Sequence, residues 1–307
     1  MASIEPPAAG VTVLGGVRLR THPRARRRLW RTLRRGSGVF NIAFLAVMVL
    51  CAILAPVITP YDPTASEVTR RLLPPFWLTG GSTAHLLGTD QLGRDVFARL
   101  VYGSRISLVV GVSTVAISAV LGSAIGVVAG YYEGPLGAAL MRIADIQLAF
   151  PFILLAIAIV AVLGVGLVNV ILILGIAGWV FFGRLARGQV LSIKQREYIE
   201  AARALGAHEI GVMGRHIVPN LLTPVIVLAT SLVAGNIVVE ASLTFLGLGV
   251  QPDLPSWGNM LAGSRDYLNV AWWMSVFPGL ALTLTVLTVN LLGDWLRDYL
   301  DPALRNL

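Results

Sequence analysis

The chain has 307 residues, 56% of them hydrophobic and only 13% charged, with a mean hydropathy of +0.76 and a formal net charge of +8. A soluble domain carries roughly 25% charged and 45–50% apolar residues, so that class is excluded. The single cysteine, Cys51, lies in an apolar run and has no partner for an intrachain disulfide, so it reports no redox compartment.

The positive charge is concentrated at the start. Nine arginines fall between Arg18 and Arg35, in a basic tail spanning 1–38 directly before the first apolar run. A basic block beside a membrane span fits anionic lipid on the cytoplasmic side, and no nucleic-acid partner is expected. A signal peptide would have an apolar core of about 7–15 residues, whereas the first run here is 20 residues long, so this span is expected to remain.

Crossing a bilayer as a helix takes about 20 apolar residues. Six runs qualify: Val39–Ile58, Ile106–Ala129, Ile146–Gly166, Leu167–Gly183, Leu221–Val239 (continuing past Glu240 to Leu248) and Trp272–Gly293. The expectation is an all-α integral membrane protein of six transmembrane helices. Its parts are a first helix at 39–60, an external segment at 61–105, a core of five helices at 106–300 and a C-terminus at 301–307. Six crossings put both termini on one face. That face then carries 18 of the 24 Lys and Arg residues. The positive-inside rule makes it cytoplasmic, together with the loop at 184–220, and most of the asymmetry comes from the N-terminal block.

In the external segment, Leu87-Gly88-Thr89-Asp90-Gln91-Leu92-Gly93-Arg94-Asp95 stands out. Thr89 or Asp90 is expected to cap a helix beginning near Gln91, with Asp95 and Arg99 one turn apart and able to pair. His85, Asp90 and Asp95 lack the spacing of a known metal site, and no metal is expected. Further on, Gly122, Gly126 and Gly130 form a small-residue face for close helix approach, within the chain or across a dimer. Pro56, Pro151, Pro224 and Pro278 fall near expected helix ends, where lost backbone bonds are best tolerated.

Polar groups at membrane depth are few: Asn169, Asn236, Glu240 and Asn290. A carboxyl there needs a partner or a wet cavity. Glu240, with Asn236, is a candidate for the translocation path or gate. The alternative is an interfacial Glu240 paired with an external arginine, since it sits roughly 28 Å along the helix from Leu221.

Between the fourth and fifth spans, Ser192 to His216 reads as two short helices broken at Gly206, which supplies a left-handed turn. Ala201, Ala202 and Ala204 leave a thin helix able to enter a groove on a partner. Pro219 is expected to restart the chain before the fifth span.

This connector resembles the EAA loop of ATP-binding cassette importer permeases: Glu-Ala-Ala, three residues, Gly, then a proline thirteen residues on. Glu200, Ala201, Ala202, Gly206 and Pro219 occupy the matching positions, while His216 and Val218 stand where isoleucine and leucine are usual. The external motif with Gly88, Thr89, Asp90, Gly93, Arg94 and Asp95 is similar to the second permease subunit of dipeptide, oligopeptide and nickel importers. So is Glu240-Ala241-Ser242-Leu243-Thr244-Phe245-Leu246-Gly247-Leu248-Gly249, followed by Pro255-Ser256-Trp257-Gly258. The resemblance covers about residues 39 to 300.

It implies a type I importer permease fold in a bacterial inner membrane and half of a translocation pathway for di- or oligopeptides, with nickel or another small solute as the alternative cargo. It implies as partners a homologous permease subunit, two cytoplasmic ATPases that use ATP, and an extracytoplasmic substrate-binding protein. The chain itself is expected to bind no cofactor and to be no enzyme. Its only lysine, Lys194, is preceded by Ile193 and followed by Gln195, whereas a phosphate-binding loop needs Gly-Lys followed by Ser or Thr. An ion-gradient-driven carrier, the competing class, would want several partnered ionisable groups within the spans, and only Glu240 qualifies.

Overall fold

The structure is a computed structural model that describes residues 12–14, 17–19 and 36–300, with side chains from Phe40 onward. Arg20, the arginines from Arg24 to Arg35 and the 301–307 C-terminus lie outside these residues. In the tail, β1 (Thr12–Leu14) and β2 (Val17–Leu19) form a short antiparallel ribbon. The rest of the described chain is helix and loop, apart from one β-bridge between Thr89 and Asp95.

Among the described residues five helical stretches are long and apolar enough to cross a membrane, and a bent helix pair makes six if it crosses as one span. The single helices are α1 (Gly36–Ile58), α2 (Val96–Tyr131), α9 (Val218–Phe245) and α11 (Trp273–Leu300). The fourth crossing combines α5 (Leu167–Ala177) and α6 (Trp179–Lys194) across a break at Gly178. The bent pair is α3 (Gly134–Ala149) and α4 (Phe152–Leu163), which meet at 92°.

That bend corrects the straight third span expected over Ile146–Gly166. Proline crowds the residue before it out of the helical region, and Phe150, preceding Pro151, is extended at φ −87°, ψ 133°. The backbone opened at Gly178 is served by a side chain from the end of α3, as groups freed at a helix break need. Gln147 Nε2 donates to the Ala177 carbonyl at 2.6 Å, and Trp179 Nε1 donates to Gln147 Oε1 at 2.8 Å.

The second span also differs from expectation, because α2 starts at Val96 and not at Ile106. The expected apolar run leaves out the charged Arg99 and Arg105. Their guanidinium groups donate to backbone carbonyls: Arg99 to Pro63 at 3.2 Å, and Arg105 to Ala52 at 2.8 Å and Ile53 at 3.2 Å. At 1.5 Å per residue α2 is about 54 Å long, so its ends outrun a hydrocarbon core of about 30 Å.

Helix α2 is the axis of the molecule. On one side its glycine ladder meets α6 within the same chain. A Cβ at Gly122 would strike the Trp179 carbonyl, one at Gly126 the Gly183 carbonyl, and one at Gly130 would lie 2.9 Å from Val190 Cβ. The glycines thus serve intrachain packing, the first of the two readings the spacing allowed. On the other side α2 packs against α9, α1 and the short α10 (Trp257–Ser264).

Candidate functional site

Two ends of α2 carry the two motifs, and they are built on opposite plans. Before α2, residues 59–95 fold into a polar knot. Asp90 Oδ1 accepts from the backbone N–H of Leu92 at 2.9 Å and Arg94 at 3.0 Å, while Oδ2 accepts from Arg94 Nε at 2.7 Å and lies 3.7 Å from Arg99 Nε. Thr89 Oγ1 accepts from the Leu73 N–H and donates to the Arg70 carbonyl, at 2.9 and 2.5 Å. Trp273 Nε1 donates to the Thr89 carbonyl at 3.1 Å, tying the knot to α11.

The helix cap is Asp95, not Thr89 or Asp90. Its Oδ1 accepts from the Ala98 N–H at 2.6 Å and its Oδ2 pairs with His85 Nδ1 at 2.8 Å, so it does not pair with Arg99 as expected. Gly88 and Gly93 have φ of +80° and +76°, and a Cβ at either would run into the carbonyl of Leu73 or Glu67. Thr89, Asp90, Arg94, Asp95 and Arg99 are all at most 8% exposed. Their charges are spent inside the knot, so this motif shapes the segment without presenting itself to a partner.

Beyond the far end of α2 the connector does the reverse. Helix α7 (Glu197–Ala204) ends on Gly206, at φ +84°, where Gly206 N–H reaches the Arg203 carbonyl at 2.9 Å and Ala207 N–H the Ala202 carbonyl at 3.0 Å. This paired closure needs a left-handed residue, which is why glycine stands there. His208 then caps α8 (Glu209–Val212), and a π turn over Met213–Ile217 leads into α9. Contrary to expectation, Pro219 does not restart the chain. Val218 stays helical and its N–H bonds the Met213 carbonyl in the wider π pattern, so α8 and α9 run on as one 37-residue stretch. A proline near a helix start loses an N–H that has little to bond there.

The connector is fastened by few groups. Ile199 and Val212 are fully buried, joining Ile217, Val190 and Tyr131 in one apolar cluster. Lys194 Nζ donates to the Tyr131 carbonyl at 2.7 Å and to Glu133 at 2.9 Å, and Lys194 and Arg203 both approach the Tyr131 ring, at 5.5 and 5.4 Å from its centre. Lys194 holds the carboxyl of Glu133 below its ordinary value of 4.5 through that hydrogen bond and its charge. Most of the rest faces outward. Glu200, Ala201, Gly206 and Pro219 are exposed, Ala202 is half-buried, and large apolar side chains stand in the open at Tyr198 (41%), Leu205 (89%) and Ile210 (67%).

Glu240 and Asn236 lie on α9 against α2. Glu240 is fully buried, with Oε1 accepting from the Thr244 hydroxyl at 2.9 Å and Oε2 without a partner among the described residues. Asn236 Nδ2 donates to Thr114 Oγ1 on α2 at 2.9 Å. The expected alternative, an ion pair with an external arginine, is not made: Arg265 donates to the Phe245 carbonyl instead, and no cation lies within bonding distance of Glu240 among the described residues. Thr244 passes the link on by accepting from the Val250 N–H at 3.1 Å, which secures the turn after α9. In the following motif Ser256 caps α10, and the fully buried Trp257 donates to the Leu100 carbonyl at 3.0 Å.

Sequence reasoning missed Ile199, Tyr131 and the exposed Leu205 and Ile210. Thr114, facing Asn236, was missed because no spacing within α9 reports what sits across from it.

Residues 122–306 match the family described as binding-protein-dependent transport system inner membrane component, and residues 24–75 match the N-terminal transmembrane domain of oligopeptide transport permease C. The di/tripeptide transport system permease protein DppC of Pseudomonas aeruginosa is 43% identical over 93% of this chain and 94% of its own length. The glutathione transport system permease protein GsiD of Pectobacterium atrosepticum is 43% identical over 91% and 92%. The dipeptide transport system permease protein DppC of Haemophilus influenzae is 39% identical over 90% and 94%. In fold, a chain of the MetNI methionine ABC transporter in an inward-facing conformation superposes with a TM-score of 0.56 at 20% identity, covering 67% of this chain and 98% of that one. The chain therefore belongs to the binding-protein-dependent transport system inner membrane components, as a multi-pass permease subunit.

Proposed function

We propose that this permease forms half of the translocation pathway of an ATP-driven importer for di- and oligopeptides, with a homologous permease supplying the other half. Two ATPase subunits dock on the 200–219 connector from the cytoplasm, and an extracytoplasmic binding protein delivers cargo at the end of the 59–95 segment. Both termini are cytoplasmic. The observation that carries the docking role is the connector's three exposed apolar side chains, Tyr198 on α7, Leu205 at its end and Ile210 on α8, with Ile199 the one buried residue of α7. Exposed apolar clusters with polar rims mark interaction surfaces. The peptide cargo rests on the names of the relatives. The chain binds no nucleotide itself, in keeping with the flanks of Lys194, so ATP is used by the partners.

Glu240 and Asn236 act in this scheme at the α2–α9 seam, where Asn236 bonds Thr114 across the helices and the second carboxyl oxygen of Glu240 is left free to take a partner as they move. The test of the whole reading is uptake of a labelled dipeptide into vesicles holding the assembled complex. Uptake should require ATP and the binding protein and should ignore a collapsed proton gradient. Uptake without ATP would transfer the chain to the gradient-driven class.

A further inference from the structure

We propose that the groove between α1, α2, α9 and α11 binds one anionic phospholipid, with an acyl chain along the groove and the phosphate held by Arg105. The groove encloses about 710 Å³ and is walled by Leu45 and Val49 of α1, Val109 and Val112 of α2, Val233 of α9 and Leu292 of α11. That volume lies within the range of roughly 300–1,000 Å³ for small-molecule sites. Val49, Val109 and Val112 are 40–57% exposed, so the walls are open. All four helices are of membrane-spanning length and hydropathy, so in a membrane these open walls would meet lipid.

Arg105 stands at one end of the groove for a local reason. Pro56 has no N–H, and the carbonyl four residues before it, that of Ala52, loses its helical donor. Arg105 Nε replaces that donor at 2.8 Å, and Nη2 reaches the next carbonyl, Ile53, at 3.2 Å. These two bonds fix the guanidinium in place and use two of its five N–H groups. No carboxylate lies within 4.0 Å of it among the described residues, and its other close neighbour is the Tyr102 ring, 5.7 Å from ring centre.

A fixed guanidinium with donors to spare and no counter-ion suits a phosphate, whose oxygens match its fork. The depth is also right. Ala52 is roughly 9 Å along the axis from the end of α1 at Ile58, near the edge of the hydrocarbon where a basic side chain reaches the headgroups. A free phosphate would leave the apolar walls unused, and a partner helix would leave the cation unpaired. The lipid satisfies both.

The experiment uses the assembled complex in lipid nanodiscs doped with a photoactivatable phosphatidylglycerol carrying its reactive group on the acyl chain, with labelled peptides mapped by mass spectrometry. Label should concentrate on residues 45–53 and 105–113, and unlabelled phosphatidylglycerol should compete while phosphatidylcholine should not. Arg105→Gln should lower labelling there by roughly tenfold, as loss of a charge-assisted hydrogen bond implies. Because that variant also unbraces α1, Val109→Trp is the second arm: it fills the groove, leaves Arg105 in place, and should lower labelling to a similar degree. Equal competition by phosphatidylcholine, or unchanged labelling in Val109→Trp, would mean unspecific annular lipid and overturn the proposal. So would crosslinking of Val109→Cys to the homologous permease, which would make the groove a subunit contact.

Discussion

The knot before α2 and the connector after it are both conspicuous in the sequence, yet one closes on itself and the other stays open. In the knot, Asp90, Arg94, Asp95, Arg99 and His85 are buried and bonded to each other or to backbone. In the connector, the charged residues Glu197, Glu200 and Arg203 are exposed and the apolar tip is uncovered. A charged motif whose every contact is internal is architecture. A motif with apolar side chains left uncovered is the surface on which we propose the ATPase subunits dock. Changing the first should damage folding, and changing the second should damage work while sparing the fold.

The largest effect is expected in the knot. Asp90→Ala leaves Arg94 and Arg99 buried without their carboxylate, and breaking a buried pair in this way costs about 3–5 kcal/mol. Thermal unfolding in detergent and the yield of assembled complex should both fall sharply. A variant of native stability would show the knot to be less closed than it looks.

A smaller effect belongs to the α2–α9 seam. Glu240 has no cation to lose, so Glu240→Gln breaks no ion pair and should move stability by no more than about 1 kcal/mol. Dipeptide uptake per folded complex should nevertheless fall, because the exchangeable carboxyl is gone. Full uptake at full stability would leave Glu240 without a part in the cycle.

The smallest is at the junction of α2 and the connector. Because Lys194 holds Glu133 below 4.5, the ionised form is favoured in the folded state, and its stabilising contribution is present above the ordinary carboxylate range and lost as the pH falls through the lowered value. Stability of Glu133→Gln against pH should therefore run below wild type near neutrality and converge with it in acid. Parallel curves down to pH 3 would remove the linkage.

Much of this was legible in the sequence. The apolar spans, the glycine ladder as a face for close approach, and the two connector helices split at Gly206 follow from apolar run length, fourfold spacing and the need for a left-handed residue, while the spacing left open whether that face meets this chain or another. What was not legible turns on partners distant in sequence. Arg99 and Arg105 read as the limit of a span, since nothing nearby says that Pro63 and Ala52 will supply carbonyls. Asp90 read as a cap because capping is local, while its Arg94 and Arg99 contacts depend on the folded turn. Pro219 read as a break, and the π turn that absorbs it has no sequence signature here. The 92° bend at Pro151 was hidden because the apolar run continues through it.

The most direct test lies at the connector tip. Gly206→Val forces a branched side chain into φ +84° with no steric neighbour within 4 Å, and Leu205→Asp puts charge on an 89% exposed apolar tip. Purification of the membrane-inserted complex should return the ATPase subunits with the wild-type chain and lose them with either variant, while the homologous permease still co-purifies and unfolding of the permease pair shifts by no more than the equivalent of about 1–3 kcal/mol. Retention of the ATPases and of ATP-driven uptake in both variants would contradict the docking role of the connector.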